Sequence, residues 1–338
     1  MKLISRILFL INIFFFLALL ILFIFPLLPP SKFPLTAVLS LGTPVIILIN
    51  ICFTIFWLLT LNKRFLLSFF AVVAAFVLFN IFPAISTSKS ASGFENGLKV
   101  MTYNVRLFNA YEKKKNFPDV KTTMDSYIEK EQPDVICFQE FYRKNPVDFK
   151  DYPYKFIHFK RKGDQLGNAI YSKYPLRNTG AFDFKNSNNN TLYADVIKGK
   201  DTIRVYSLHL QSHGVIPEVQ FLQEQNTEKL FRQLHNRFVQ QEKQVKAILN
   251  HKSKTTYPVL IMGDFNNTPF SYSYKKLKTN MNDAFREAGS GMGSTFSFAG
   301  FPMRIDFILA SPSLEVTSFE TLKGTFSDHR AITAQLSW

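Results

Sequence analysis

No acidic side chain occurs before Glu95, and up to Ser88 the only charged residues are Lys2, Arg6, Lys32, Lys63 and Arg64. Three uncharged apolar stretches fill this region: Ile7 to Leu28, Phe33 to Leu61, and Phe65 to about Pro83. A helix of about 20 apolar residues crosses a bilayer, so the pattern predicts a three-span transmembrane region over residues 1–85. Buried core helices are the alternative, but no soluble fold needs three such runs back to back. The first run is too long for the apolar part of a signal peptide, lacks an Ala-x-Ala-like cleavage site, and is followed by two more. Pro26, Pro29 and Pro30 end it, and Asn62, Lys63 and Arg64 form the polar turn before the third.

Flanking bases set the orientation, because Lys and Arg near span ends collect in the cytoplasm. An inside N-terminus leaves Lys2, Arg6, Lys63 and Arg64 in the cytoplasm, with Lys32, Lys89 and Lys99 outside. Everything after the third span is then expected on the extracytoplasmic side, and a bacterial inner membrane is the expected location. One further detail fits that host: Asn266-Asn267-Thr268 matches a glycosylation acceptor in a stretch that, as argued below, is expected to be functional.

Residues 86–97, rich in Ser and Gly, read as a flexible linker, and 98–338 as a separate domain. Past Glu95 there are 34 bases against 24 acids, a net of +10. Such a balance suits nucleic acid, phosphorylated small molecules or lipid headgroups, and equally suits life beside an anionic bilayer. Cys52 lies in the apolar region and Cys137 in an expected strand, so no disulfide is expected.

Strand and helix alternate from Leu98. Strands are expected at 98–105, 134–139, 155–159, 168–172, 192–197, 202–210, 304–310 and 331–336, with another beginning at Val259. Helices are expected at 120–131 and within 218–250, where Phe231, Leu234, Phe238, Val245 and Ile248 recur at helical spacing. The class is α/β with mixed sheets.

Several strands end in a side chain able to do chemistry. Val259 to Met262 is a buried apolar strand, Gly263 lets the chain turn, and Asp264 and Asn266 follow on one side. Asn104 ends the first strand and Glu140 follows the second. His209 is in line with Val205 and Ser207. Asp306 lies in an apolar strand, where Arg304 is its alternative, structural partner. Asp328 and His329 precede the last strand. Each alone is explained by a turn or a core contact. Together they are harder to dismiss, because a buried charge is costly unless paired or metal-bound.

Thr-Tyr-Asn-Val, Phe-Gln-Glu, Ser-Leu-His-Leu, Gly-Asp-Phe-Asn, Arg-Ile-Asp-Phe-Ile and Ser-Asp-His occur in that order. The set resembles the endonuclease/exonuclease/phosphatase superfamily, which includes deoxyribonucleases, apurinic endonucleases and neutral sphingomyelinases. The resemblance covers about Leu98 to Trp338 and says nothing of the apolar region. It implies a four-layer sandwich of two packed mixed sheets flanked by helices. It also implies a divalent metal, Mg2+ or Mn2+, at Glu140 with Asn104 and Asp328. Asp264 would align or activate water, Asn266 would hold a phosphate oxygen, Asp306 would orient His329, and His209 and His329 would stabilise the phosphoryl group or protonate the leaving oxygen.

The residue types suit that chemistry independently. Phosphodiester hydrolysis needs a water, a base and positive charge on the developing oxyanions, and hard oxygen donors favour magnesium or manganese. The expected function is a membrane-anchored hydrolase of phosphate esters, with nucleic acid, phospholipid or a phosphorylated small molecule as substrate and the lipid bilayer as the other partner. No obligate protein partner is evident. A non-catalytic tethered binding module of the same fold is the alternative from another class.

Overall fold

The computed structural model describes residues 2–79, 97–111, 118–214 and 226–338. The expected linker lies almost wholly outside them. The chain divides into two compact units: one takes Met1–Phe82, Asn226–Glu242 and Thr268–Lys276, the other Pro83–Gln225, Lys243–Asn267 and Leu277–Trp338.

In the first unit the apolar runs form helices α1 (Lys2–Leu22), α2 (Pro34–Leu39), α3 (Thr43–Leu59) and α4 (Phe65–Leu78). Prolines at the starts of α2 and α3 give up no internal hydrogen bond, since the first amides of a helix have no partner in it. Two helical stretches are long and apolar enough to cross a membrane, Leu3–Leu27 and Pro34–Leu59. The expected third span is corrected. The helix of 14 residues ends at Leu78, and at about 1.5 Å per residue it falls short of a hydrocarbon core about 30 Å thick. Residues 80–83 of that expected span lie outside the described residues.

A polar network sits inside these apolar helices. Asn12 donates to Ser68 Oγ at 2.5 Å, Ser68 donates to Asn50 Oδ1 at 3.0 Å, and Trp57 Nε1 donates to Asn12 Oδ1 at 3.0 Å. Asn50 Nδ2 in turn reaches the Phe15 and Ile46 carbonyls, at 3.1 and 2.9 Å. Arg64 donates to the Ser5 carbonyl at 3.0 Å and lies over the Phe9 and Trp57 rings. That contact gathers the Ser5 and Arg64 ends of two helices at one end of the group.

The second unit is built on alternation. In β1 (Gly97–Asn104) and β2 (Val135–Tyr142), Leu98, Val100, Val135 and Cys137 point to one face and Met101, Tyr103, Ile136 and Phe138 to the other. The first face meets Leu192, Val205, Leu260 and Ile308 of a second sheet and forms the main core. The opposite face is covered by Met124 and Tyr127 of α5 (Val120–Glu131). That helix starts where the Asp119 side chain caps the Thr122 amide, and ends before Pro133 with Gln132 in a left-handed conformation.

The remaining strands are β3 (Tyr154–His158), β4 (Leu166–Ser172), β5 (Leu176–Asp183), β6 (Asn190–Lys198), β7 (Asp201–His209), β8 (Val259–Asp264), β9 (Asn282–Asp283), β10 (Phe296–Phe298), β11 (Phe301–Met303), β12 (Asp306–Ala310), β13 (Glu315–Thr321) and β14 (Ile332–Ser337). One sheet runs β13-β14-β1-β2-β4-β3 and the other β5-β6-β7-β8-β12-β9, while β10 and β11 form a separate hairpin. Each large sheet has a parallel pair at its centre, β1 with β2 and β7 with β8, and antiparallel neighbours outside. The expected two packed mixed sheets are present. Strand β1 pairs along its length with the last strand, from Gly97 opposite Ser337 to Thr102 opposite Ile332. Helices α6 (Thr227–Lys252), α7 (Tyr272–Lys278) and α8 (Ala284–Ala288) complete the elements. Both cysteines are free, Cys137 buried and Cys52 exposed.

Candidate active site

The two parallel pairs direct their carboxyl ends to one place. Asn104 and Gln139 are register partners where β1 and β2 finish. His209 and Asp264 are partners where β7 and β8 finish, and the antiparallel β12 begins with Asp306 opposite Asp264. A row of His209, Asp264 and Asp306 thus crosses three adjacent strands. Gly263 makes the row possible. Its φ of 133° lies outside the range of ordinary residues, and a Cβ there would stand 2.1 Å from the Leu208 carbonyl oxygen. Glu140 is aimed differently. The β2–β4 register shifts between Phe138 and Phe141, and Glu140 has a φ of 52°. This is a bulge that turns one side chain out of the alternation.

Asp264 is the centre. Its Oδ2 accepts from Asn104 Nδ2 at 3.0 Å and Asn266 Nδ2 at 3.1 Å, while Oδ1 accepts the Asn266 backbone amide at 2.7 Å. The Nε2 atoms of His209 and His329 each stand 3.8 Å from Oδ2, too far for a hydrogen bond. Two imidazoles therefore face one carboxylate across a gap. Asn266 also donates to the Leu210 carbonyl at 2.9 Å. Its side-chain amide thus bridges Asp264 and the end of β7.

Charge is distributed unevenly here. Burial raises the Asp264 carboxyl to about 6, although both histidines pull it down. Burial lowers His209, which is neutral near pH 7. Burial also opposes the charge on His329, but Asp306 and Asp264 outweigh it and raise the group to about 10. His329 Nδ1 bonds to Asp306 Oδ2 at 2.9 Å. Arg304, the alternative partner weighed for Asp306, pairs with Asp283 at 2.7 Å. Asp264, Asp306 and His329 place ligand atoms within 4.8 Å of one another. Within this trio the imidazole stands between the two carboxylates, bonded to Asp306 through Nδ1 and facing Asp264 through Nε2.

The expected metal ligands gather beside it. Asn104 Nδ2 reaches Glu140 Oε1 at 3.3 Å. Burial, with the negative charge of Asp328 added, holds the Glu140 carboxyl above its usual range despite His329, Asn104 and Arg106. The carboxylate oxygens of Glu140 and Asp328 are hard donors of the kind that suit a divalent cation.

Several supporting residues escaped sequence reasoning. Arg106 Nε stands 3.9 Å from Asp328. Ser327 Oγ donates to the Asn104 carbonyl at 2.8 Å and ties the Ser-Asp-His turn to the end of β1. Thr325 Oγ1 meets the Tyr103 hydroxyl at 2.6 Å and donates to the His329 carbonyl at 2.5 Å. Thr295 Oγ1 accepts from the Ile305 and Asp306 amides, and Phe296 packs its ring 5.0 Å from that of His329. Ser327 was legible as part of a motif. Thr295 and Thr325 carried no signal, because a threonine acting through one hydroxyl looks like any other.

The profile of the Endonuclease/Exonuclease/phosphatase family matches residues 101–329, and a domain of unknown function (DUF8431) matches residues 5–82. No curated protein matches the chain in sequence. Among solved structures, an endonuclease/exonuclease/phosphatase from Beutenbergia cavernae aligns at 18% identity with a TM-score of 0.52, covering 71% of each chain. A humanized TDP2 from D. rerio aligns at 17% identity and TM-score 0.53, over 72% of this chain and 99% of its own. The human Nocturnin catalytic domain with bound sulfate aligns at 18% and 0.51, over 71% and 94%. At these identities the likeness is one of fold.

Proposed function

Since the chain belongs to the endonuclease/exonuclease/phosphatase family, we propose that residues 98–338 are a divalent-metal-dependent phosphodiesterase, held at a membrane by the apolar helices of residues 1–85 on its extracytoplasmic side. Members of this family are phosphoric ester hydrolases. The observation that carries the reading is the pair of imidazoles facing Asp264, one neutral and one charged.

Environments that push like groups apart separate their duties. His329, kept protonated by Asp306, clamps a phosphoryl oxygen. His209, neutral, donates a hydrogen bond to the same group. Asp264 takes the proton of the attacking water, and its raised pKa makes it a stronger base than a free carboxylate. Asn104 and Asn266 hold that carboxylate in place. Glu140, Asn104 and Asp328 would hold magnesium or manganese, which supplies positive charge to developing oxyanions.

The test is phosphate and phosphodiester hydrolysis by the full chain in detergent, over DNA, RNA, phospholipids and phosphorylated small molecules with magnesium. Asp264→Asn serves as the control. Turnover that vanishes in Asp264→Asn supports the reading. Equal turnover in both, or none on any ester, defeats it.

A further inference from the structure

The helical unit carries a groove of about 490 Å³ that the chemistry at the strand ends does not use. Phe9 and Phe16 of α1 line it together with Leu67 and Phe70 of α4. Seven residues, two helical turns, separate Phe9 from Phe16, so both rings lie on one face about 10 Å apart along the axis. Leu67 and Phe70, three apart, are likewise neighbours on the surface of their helix. The walls are apolar along this length.

One end is different. Asn62, Lys63 and Arg64 line the groove where α3 gives way to α4, just past the apolar stretch Pro34–Leu59. Asn62 Oδ1 accepts the Arg64 amide at 3.2 Å and shapes that turn. Arg64 is anchored, with Nη1 donating to Ser5 and the guanidinium lying over the Phe9 and Trp57 rings. Lys63 is exposed, and its ammonium has no hydrogen bond or ion pair among the described residues. The two acids of this unit are engaged elsewhere: Glu228 with Arg232 at 2.6 Å, and Glu242 with the Ser31 amide and hydroxyl at 2.8 and 3.0 Å. No carboxylate of the unit therefore answers the cations at the end of the groove.

An apolar trough with positive charge at one end complements an amphiphile with an anionic head. Basic pockets between membrane helices take the headgroups of anionic lipids. An aliphatic chain covers aromatic walls without leaving a polar atom unpaired, whereas an extended peptide would bring amides that those walls cannot satisfy.

We propose that the groove is a binding site for one anionic phospholipid, with its phosphate between Lys63 and Arg64 and an acyl chain along Phe9, Phe16, Leu67 and Phe70. This assigns a ligand to a region matched only to a domain of unknown function. It rests on the reading of the apolar helices as a membrane region and is independent of the chemistry at Asp264.

The experiment uses the full chain purified in detergent, with a chelator present so that no ester is turned over. Native mass spectrometry reads how much phosphatidylglycerol, or phosphatidylcholine with the same acyl chains, stays bound. The wild type should retain phosphatidylglycerol at least about tenfold better. Lys63→Gln should cut that preference about fivefold, and Lys63→Arg should keep it. Lys32→Gln removes the same charge from the turn between the two long apolar helices, and should leave the preference within about twofold of wild type. Equal retention of the two lipids by the wild type overturns the site. So does an equal loss in Lys63→Gln and Lys32→Gln, which would mark attraction by net charge alone. Flotation with phosphatidylcholine vesicles separates this site from the anchor it rests on. A chain that floats without lipid preference loses the site and keeps the anchor, while a chain left in the dense fraction loses both.

Discussion

Two of the buried polar clusters among the described residues are built on opposite principles. Among the apolar helices, Asn12, Asn50, Ser68 and Trp57 are neutral, and each donates into the next at hydrogen-bonding distance. At the strand ends carboxylates and a charged imidazole are present, two imidazoles stop 3.8 Å short of their carboxylate, and Asp306 Oδ1 is buried with no hydrogen-bond partner. A closed network is worth only its own stability. An open one stores unpaired charge and donor capacity that a ligand can use. Polarity at depth therefore does not mark function; incompleteness does.

The largest effects should come from the open cluster. Asp264→Asn and His329→Ala are each expected to lower turnover at least about a hundredfold, through loss of the base and of an oxyanion stabiliser. Asp264→Asn should also melt at or above the wild-type temperature, because it removes a carboxylate that burial already disfavours. If lost turnover merely tracks a lowered melting temperature, the contrast between the clusters collapses.

Next comes the metal. Glu140→Gln should lose about as much turnover at low magnesium, and raising the concentration should recover part of it. A chelator should silence the wild type. Rates measured against metal concentration decide this, and full activity after exhaustive chelation would remove Glu140 from its role.

The closed cluster sharpens the comparison from the other side. Asn12→Leu alone orphans the Ser68 and Trp57 partners and should cost about 1–3 kcal/mol. Asn12→Leu, Asn50→Leu and Ser68→Ala together leave fewer orphans, so the triple variant should cost less than the sum of the three singles. Thermal melts in lipid test this; strict additivity would mean that the network is not a unit.

The smallest effect is on pH. His329 is raised from 6.5 to about 10, so its contribution to stability is full below 6.5 and fades as pH climbs toward 10. Melting temperatures of the chelated protein should fall over that window, and less steeply in His329→Ala. Turnover should rise through about pH 6 as Asp264 ionises, so the site gains activity over a range in which that ionisation lowers stability.

What the sequence made legible was whatever repeats or alternates. The apolar runs, the buried strands and α5 were visible because period and composition declare them. Asn104, Glu140, His209, Asp264, Asp306 and His329 were visible because each is polar at the end of an apolar strand. The strands β5 and β13 were missed, being edge strands with mixed exposure. The third span was overestimated because hydropathy continues past Leu78 while the described helix does not. The reorientation of Glu140 by a bulge depends on a partner strand distant in sequence, which no local pattern records.

The pairing of β1 with β14 has a consequence for how the candidate site comes into being. The first strand of the second unit cannot complete its sheet until Ile332 to Ser337 have been made. His329 lies just before that strand. Throughout synthesis the nascent polypeptide therefore carries Asn104, Glu140 and His209 on unfinished sheets, with an open strand edge exposed to neighbours. Pairings this distant in sequence also close slowly. The candidate site is therefore assembled late in folding, when β14 has paired with β1 and brought the Ser-Asp-His turn beside Asn104.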